Sequence, residues 1–116
     1  HAPHTAAEKS LGFAGSAFGI VGLETAFPVL YTSLVRGGIL SLEKLVELMS
    51  TAPRRRFGIG SSAEDYAVFD IADPYRIDSC NFRSKGRSTP FEGMEVYGRC
   101  LKTVHNGTIV YEAGNI

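Results

Sequence analysis

Net charge is what this sequence most plainly lacks, since twelve lysines and arginines stand against twelve aspartates and glutamates. No global field draws the chain to nucleic acid or to an anionic membrane surface, and neither is expected as a partner. Cysteine is nearly as scarce. Cys80 and Cys100 are the only two in 116 residues, with neither the spacing of a ligand pair nor the density of a disulfide framework, which is the usage of a reducing compartment and points to the cytoplasm. No apolar run approaches the roughly 20 residues of a membrane-spanning helix, and no charged-then-apolar leader precedes a cleavage site. The single basic run, Arg54-Arg55-Arg56, falls near a predicted helix end, where arginines offset the helix dipole and remain solvated.

What is present is an ordinary globular composition, 44% hydrophobic, whose periodicity changes half-way along. Residues 5–17 are rich in Ala, Gly and Ser and read as a short helical turn around Glu8 and Lys9, running into a flexible loop able to fold over a ligand. Over 22–36, Leu23, Ala26, Phe27, Leu30, Leu34 and Val35 recur at helical spacing, and Gly37-Gly38 supplies the stop. Pro28 inside that run predicts a kink or a late helix start. Glu24 near the positive helix end is read as structural. Ser41 is the expected N-cap of a second helix over 42–50, with Leu42, Leu45, Val46 and Met49 as its apolar stripe and Met49 as core filler. Ser50 or Thr51 is expected to cap a third, separate helix that carries Pro53 in its first turn and stops at Gly58.

Beyond Gly58 the pattern is that of strands. Tyr66 to Ile71 is β-rich and ends at Ala72-Asp73-Pro74, and 94–97 and 101–104 read as further strands. Asn106-Gly107 is a two-residue hairpin signal that returns the chain along 108–112. That turn also explains Asn106-Gly107-Thr108 better than a glycosylation site does. His105 beside it is read as a solvated face residue.

The residues with chemistry in them lie at the start. His1-Ala2-Pro3-His4 places two imidazoles three apart, but Pro3 makes the segment extended, whereas a helical metal pair sits four apart. Spacing alone favours a loop with two solvated imidazoles over a metal site. The chain opens without a start methionine and is read as a segment of a longer protein.

His1-Ala2-Pro3-His4-Thr5, then Glu8-Lys9 and Phe18-Gly19-Ile20-Val21-Gly22-Leu23-Glu24-Thr25-Ala26-Phe27-Pro28, resembles the C-terminal part of bacterial dihydroorotases of the amidohydrolase superfamily. Leu45 to Pro53, Phe57-Gly58, Ser84-Lys85-Gly86-Arg87-Ser88-Thr89-Pro90-Phe91-Glu92-Gly93 and the closing hairpin continue the match in the same order. The resemblance implies an α/β architecture: residues 1–57 as the last βα loop and helices of a metal-dependent-hydrolase (β/α)8 TIM-like barrel, and residues 58–116 as strands of a small β-sandwich domain. It implies that His4 contacts the substrate carboxylate and that the Phe18-Gly19 backbone contacts the pyrimidine ring. The general acid/base aspartate would immediately precede His1, so no catalytic residue and no metal ligand is assigned within the chain, and zinc would be held by residues upstream. Two departures stand out: Ala17 replaces the proline before Phe-Gly, and the 58–70 segment is short.

The activity implied is the reversible, zinc-dependent cyclisation of N-carbamoyl-L-aspartate to dihydroorotate in pyrimidine synthesis, on a small-molecule substrate, with a homodimer compatible. The segment alone is expected to be inactive. Alternatives are a related cyclic amidase, hydantoinase or allantoinase, and a non-catalytic dihydroorotase-like subunit that binds a carbamoyltransferase. His-Ala-Pro-His together with Phe-Gly favours the dihydroorotase.

Overall fold

The computed structural model describes residues 4–114. Helices fill the first half and two small antiparallel sheets the second. Helix α1 spans Ala6–Lys9 and α2 Gly12–Gly15. Helix α3, Ala26–Leu30, begins late, as Pro28 predicts. Thr25 stands before its first residue, so Pro28 falls in the first turn, where a backbone N–H has no intrahelical partner to lose. The helix then widens into a π turn, Tyr31–Val35, with the Arg36 N–H reaching back to the Tyr31 carbonyl.

The second and third predicted helices are one. Helix α4, Leu42–Val46, is capped by Ser41, whose hydroxyl accepts from the Lys44 N–H. It runs through a π turn, Glu47–Thr51, directly into α5, Ala52–Phe57, which ends at Gly58 with φ +64°. Thr51 itself has helical backbone angles and makes no side-chain cap. Pro53 explains the widened turn. A proline ring crowds the carbonyl four residues back. Ahead of it the Ala52 N–H bonds five residues back, to Glu47, so the backbone passes the ring without breaking. The expected apolar stripe is not kept. Leu45 is 1% exposed, but Met49 is 39% exposed and fills no core.

In the second half, β4 (Arg99–His105) is the centre of a three-stranded sheet between β1 (Tyr66–Asp70) and β5 (Thr108–Glu112). The Asn106-Gly107 turn forms as expected, both residues at positive φ. Its geometry is fixed by Asp65, whose carboxylate accepts from the Asn106 N–H and pairs with the His105 Nδ1 at 2.9 Å. The predicted strand over 94–97 is reduced to β3, Glu95–Val96, and it pairs with β2, Tyr75–Arg76, in a separate ladder.

The halves meet at an aromatic cluster and through side-chain bonds. Phe27 of α3 packs on Phe69 of β1 with ring centroids 4.1 Å apart and stacks on Tyr31 at 5.8 Å. Thr32 Oγ1 accepts from the Tyr97 N–H at 2.8 Å, and the Arg36 guanidinium lies 3.6 Å over the Tyr97 ring. Val21, Tyr31, Leu45, Ile77, Val96 and Val104 form the buried apolar core. Accessible surface totals 8031 Å², against about 6,200 Å² for a compact monomer of this mass. No helix among the described residues is long and apolar enough to cross a membrane.

Candidate functional site

Local chemistry builds the site around α1. Thr5 and Glu8 form a capping box: the Glu8 amide donates to the Thr5 hydroxyl, and the Glu8 carboxylate accepts from the Thr5 N–H and Oγ1 at 2.7 Å each. Such reciprocal bonds satisfy two orphan donors and fix the entry of the chain into the helix. Those Thr5 bonds, with the nearby His4, hold the Glu8 carboxyl below its ordinary range. His4 Nδ1 lies 3.8 Å from Glu8 Oε1, so the imidazole is placed one turn ahead of the carboxylate. His1 lies outside the described residues.

The loop after α2 folds back on α1. The Ala17 N–H donates to the Glu8 carbonyl at 2.9 Å, Ser16 Oγ donates to the Lys9 carbonyl at 2.9 Å, and Lys9 Nζ donates to the carbonyls of Ala17 and Gly19 at 2.6 and 2.8 Å. Gly19 takes φ +90°, a conformation closed to most L-residues. Phe18 is 90% exposed. Among the described residues neither the Phe18 nor the Gly19 N–H finds an acceptor.

A third strip closes the site from the sequence-distant loop 82–90. The Val21 N–H donates to the Ser88 carbonyl at 2.9 Å. Glu24, three residues on, accepts from the Arg83 and Ser84 N–H groups at 3.0 Å and from Ser84 Oγ at 2.7 Å. Partial burial pushes its carboxyl up. The Ser84 hydroxyl and amide, the Arg83 amide and the Arg87 charge outweigh that and leave it below its ordinary range. Glu24 is therefore structural, but as a tie to this loop rather than as a charge on a helix end. The Arg87 guanidinium turns onto the carbonyls of Phe82, Ser84 and Gly86.

Between these strips lies an open cavity of about 260 Å³ lined by His4, Thr5, Lys9, Ser10, Arg87 and Ser88 among others. It gathers an imidazole, an ammonium and a guanidinium, a donor set suited to an anion. Phe18 and Gly19 do not line it; they join it only through Lys9. A second cavity, about 410 Å³, lies at the end of α5 and contains none of the predicted site residues. There Arg54 donates to the Gly60 carbonyl at 2.7 Å, and Asp65 also faces the space. The described residues do not fit a metal centre: no three of His, Cys, Asp and Glu among them gather closely enough to hold an ion.

No family model matches the chain. Curated relatives do. It is 46% identical over 121 residues to the dihydroorotase of Bacillus caldolyticus, covering 98% of this chain and 28% of that protein. It is 50% identical over 119 residues to the dihydroorotase of Clostridium botulinum (strain Eklund 17B / Type B), covering 97% and 29%. The chain belongs to the dihydroorotases of the amidohydrolase group. The chain spans little more than a quarter of the curated relatives it matches. Among solved structures, the L-hydantoinase (dihydropyrimidinase) from Arthrobacter aurescens matches at TM-score 0.79 and 37% identity, over 89% of this chain and 25% of that one. The D-hydantoinase from Bacillus sp. AR9 matches at TM-score 0.67 and 31% identity, over 73% and 20%. The helices and small sheets thus belong to the α/β amidohydrolase architecture, with its barrel and accompanying β-structure. Members of that group are metal-dependent enzymes.

Lys9 and Glu24 were missed from the sequence as site-building residues. A lysine in the last turn of a short helix reads as a solvated charge. No local signal ties Glu24 to Ser84, 60 positions away.

Proposed function

We propose that this segment forms the substrate-orienting part of a dihydroorotase, the enzyme that reversibly cyclises N-carbamoyl-L-aspartate to dihydroorotate, in the cytoplasm and with zinc. The observation that carries this reading is the identity of 46 to 50% to dihydroorotases over 97 to 98% of the chain. The hydantoinase neighbours fit a cyclic amidase in general and do not favour hydantoin over dihydroorotate.

In this reading His4, which lines that cavity, donates an N–H to the substrate carboxylate. The Phe18 and Gly19 N–H groups meet the polar edge of the pyrimidine ring, and the Phe18 side chain walls its face. Zinc would be held, and the proton moved, by groups outside this segment. Residues 1–57 belong with the barrel and 58–116 with the small β domain.

The test joins this segment to the part of the B. caldolyticus enzyme that it does not cover, in place of that enzyme's own equivalent. The chimera is offered dihydroorotate, hydantoin and allantoin in turn. Dihydroorotate should be preferred, and His4→Ala should raise KM for it by about tenfold. Equal or faster turnover of hydantoin or allantoin would overturn the assignment.

A further inference from the structure

We propose that Lys9 is a positioning residue for the ring-binding loop, a clip that fixes Phe18-Gly19 relative to His4. The proposal rests on the dihydroorotase reading for what the loop binds, while the clip itself stands on geometry. A lysine ammonium is a compact charge with three donors and no acceptor. Here two of the three N–H bonds are taken by carbonyls only two residues apart, Ala17 and Gly19, at 2.6 and 2.8 Å. Both anchor points flank Phe18, so the ammonium holds the Phe18-Gly19 stretch at both ends.

The opposite end of the same helix holds His4. Thr5 and Glu8 cap it, and Glu8 Oε1 faces His4 Nδ1. Glu8 and Lys9, adjacent in sequence, thus serve the two elements separately, Glu8 by capping the helix at the end that carries His4 and Lys9 by holding the loop. The loop needs this. Gly19 at positive φ gives it freedom, and Ala17 stands where a proline would have stiffened the approach to Phe18. The clip replaces chain stiffness with two charge-assisted hydrogen bonds. It also orders the loop before substrate arrives, lowering the entropy lost on binding.

The experiment uses the same chimera with Lys9→Met, which keeps length and removes the donors, and Lys9→Arg, which keeps charge and donors. Lys44→Met, which breaks only the exposed pair with Glu47, is the control. Lys9→Met should raise KM for dihydroorotate by about tenfold and leave kcat within about threefold, Lys9→Arg should restore most of the loss, and Lys44→Met should change neither. Hydrogen exchange gives a second readout. The amides of Ala17 and Val21, bonded to Glu8 and Ser88, should exchange at least about tenfold faster in Lys9→Met, with β4 unchanged. Unchanged KM and unchanged exchange would overturn the proposal, as would faster exchange throughout the fold. Should the unaltered chimera fold but leave dihydroorotate untouched, the functional reading falls, and exchange at Ala17 and Val21 alone then upholds or overturns the clip.

Discussion

Gly98 packs against Phe27 and Pro28 of α3, and replacing it by alanine should destabilise the chain by about 3 kcal/mol. Two effects combine. Gly98 has φ +101°, a region that alanine enters only with strain of roughly 1–3 kcal/mol. A Cβ there would also stand 2.9 and 3.0 Å from the Phe27 ring and 3.3 Å from the Pro28 Cα. The ring has little room to yield, wedged between Tyr31 at 5.8 Å and Phe69 at 4.1 Å, and such overpacking costs about 1–3 kcal/mol more. The backbone is also held, because the Gly98 N–H donates to the Asp70 carbonyl at 3.0 Å. Gly93 separates the two effects: it has φ +74°, and an added methyl would meet nothing within 4 Å, so Gly93→Ala should lose only about 1 kcal/mol. Urea unfolding followed by circular dichroism measures both. With an m-value of roughly 1–3 kcal/mol per molar, Gly98→Ala should lower the midpoint by at least about 1 M. If Gly98→Ala is no worse than Gly93→Ala, the packing argument is wrong and only the dihedral matters.

Glu24→Gln should weaken the tie to Arg83 and Ser84 by about 1 kcal/mol at neutral pH, a modest figure because the carboxylate is exposed. Its folded pKa lies below the ordinary 4.5, so the contribution is fully present above that value and is lost as pH falls through the lower folded pKa. The stability gap between wild type and Glu24→Gln should therefore narrow in acid; a gap as wide at pH 3 as at pH 7 would sink this account. Val110→Lys tests the sheet edge. Ile109 and Val110 of β5 are 52% and 57% exposed on a strand paired on one side only, so the wild-type chain should self-associate in sedimentation velocity and the lysine variant should do so less. Equal association of the two would place the contact elsewhere.

Much of the fold was legible because its signals are local. Ser41 caps a helix, Gly58 ends one, and Asn106-Gly107 turns a hairpin, each through bonds spanning a few residues. The continuity of α4 and α5 was not legible. Pro53 resembles the start of a helix as readily as the cause of a widened turn, and only the Glu47 to Ala52 bond decides between them. Val46 and Met49 are 47% and 39% exposed, so of the expected stripe only Leu45 is fully buried. The two-residue ladder of β2 and β3 is too short for any alternation to show. As for the candidate site, His4, Phe18 and Gly19 were assigned by resemblance. Spacing alone favoured a loop with solvated imidazoles at His4.

Local patterns say little about this stretch for a physical reason. Helix α1 is four residues long and buries none of them. Isolated helices this short are unstable in water, so no amphipathic stripe marks it and no core holds it. What holds it is the capping box at one end and the Lys9 clip at the other, all of it hydrogen bonding at a largely exposed surface. Each hydrogen bond of this kind is worth little alone. They share one short helix, however, so losing either end frees residues that the other end needs in place. The imidazole and the loop are therefore ordered together. A ligand that bridges the His4 cavity and the Phe18-Gly19 amides would tighten both ends at once. That places the site at the low-stability end of the fold, where binding and local ordering are one equilibrium.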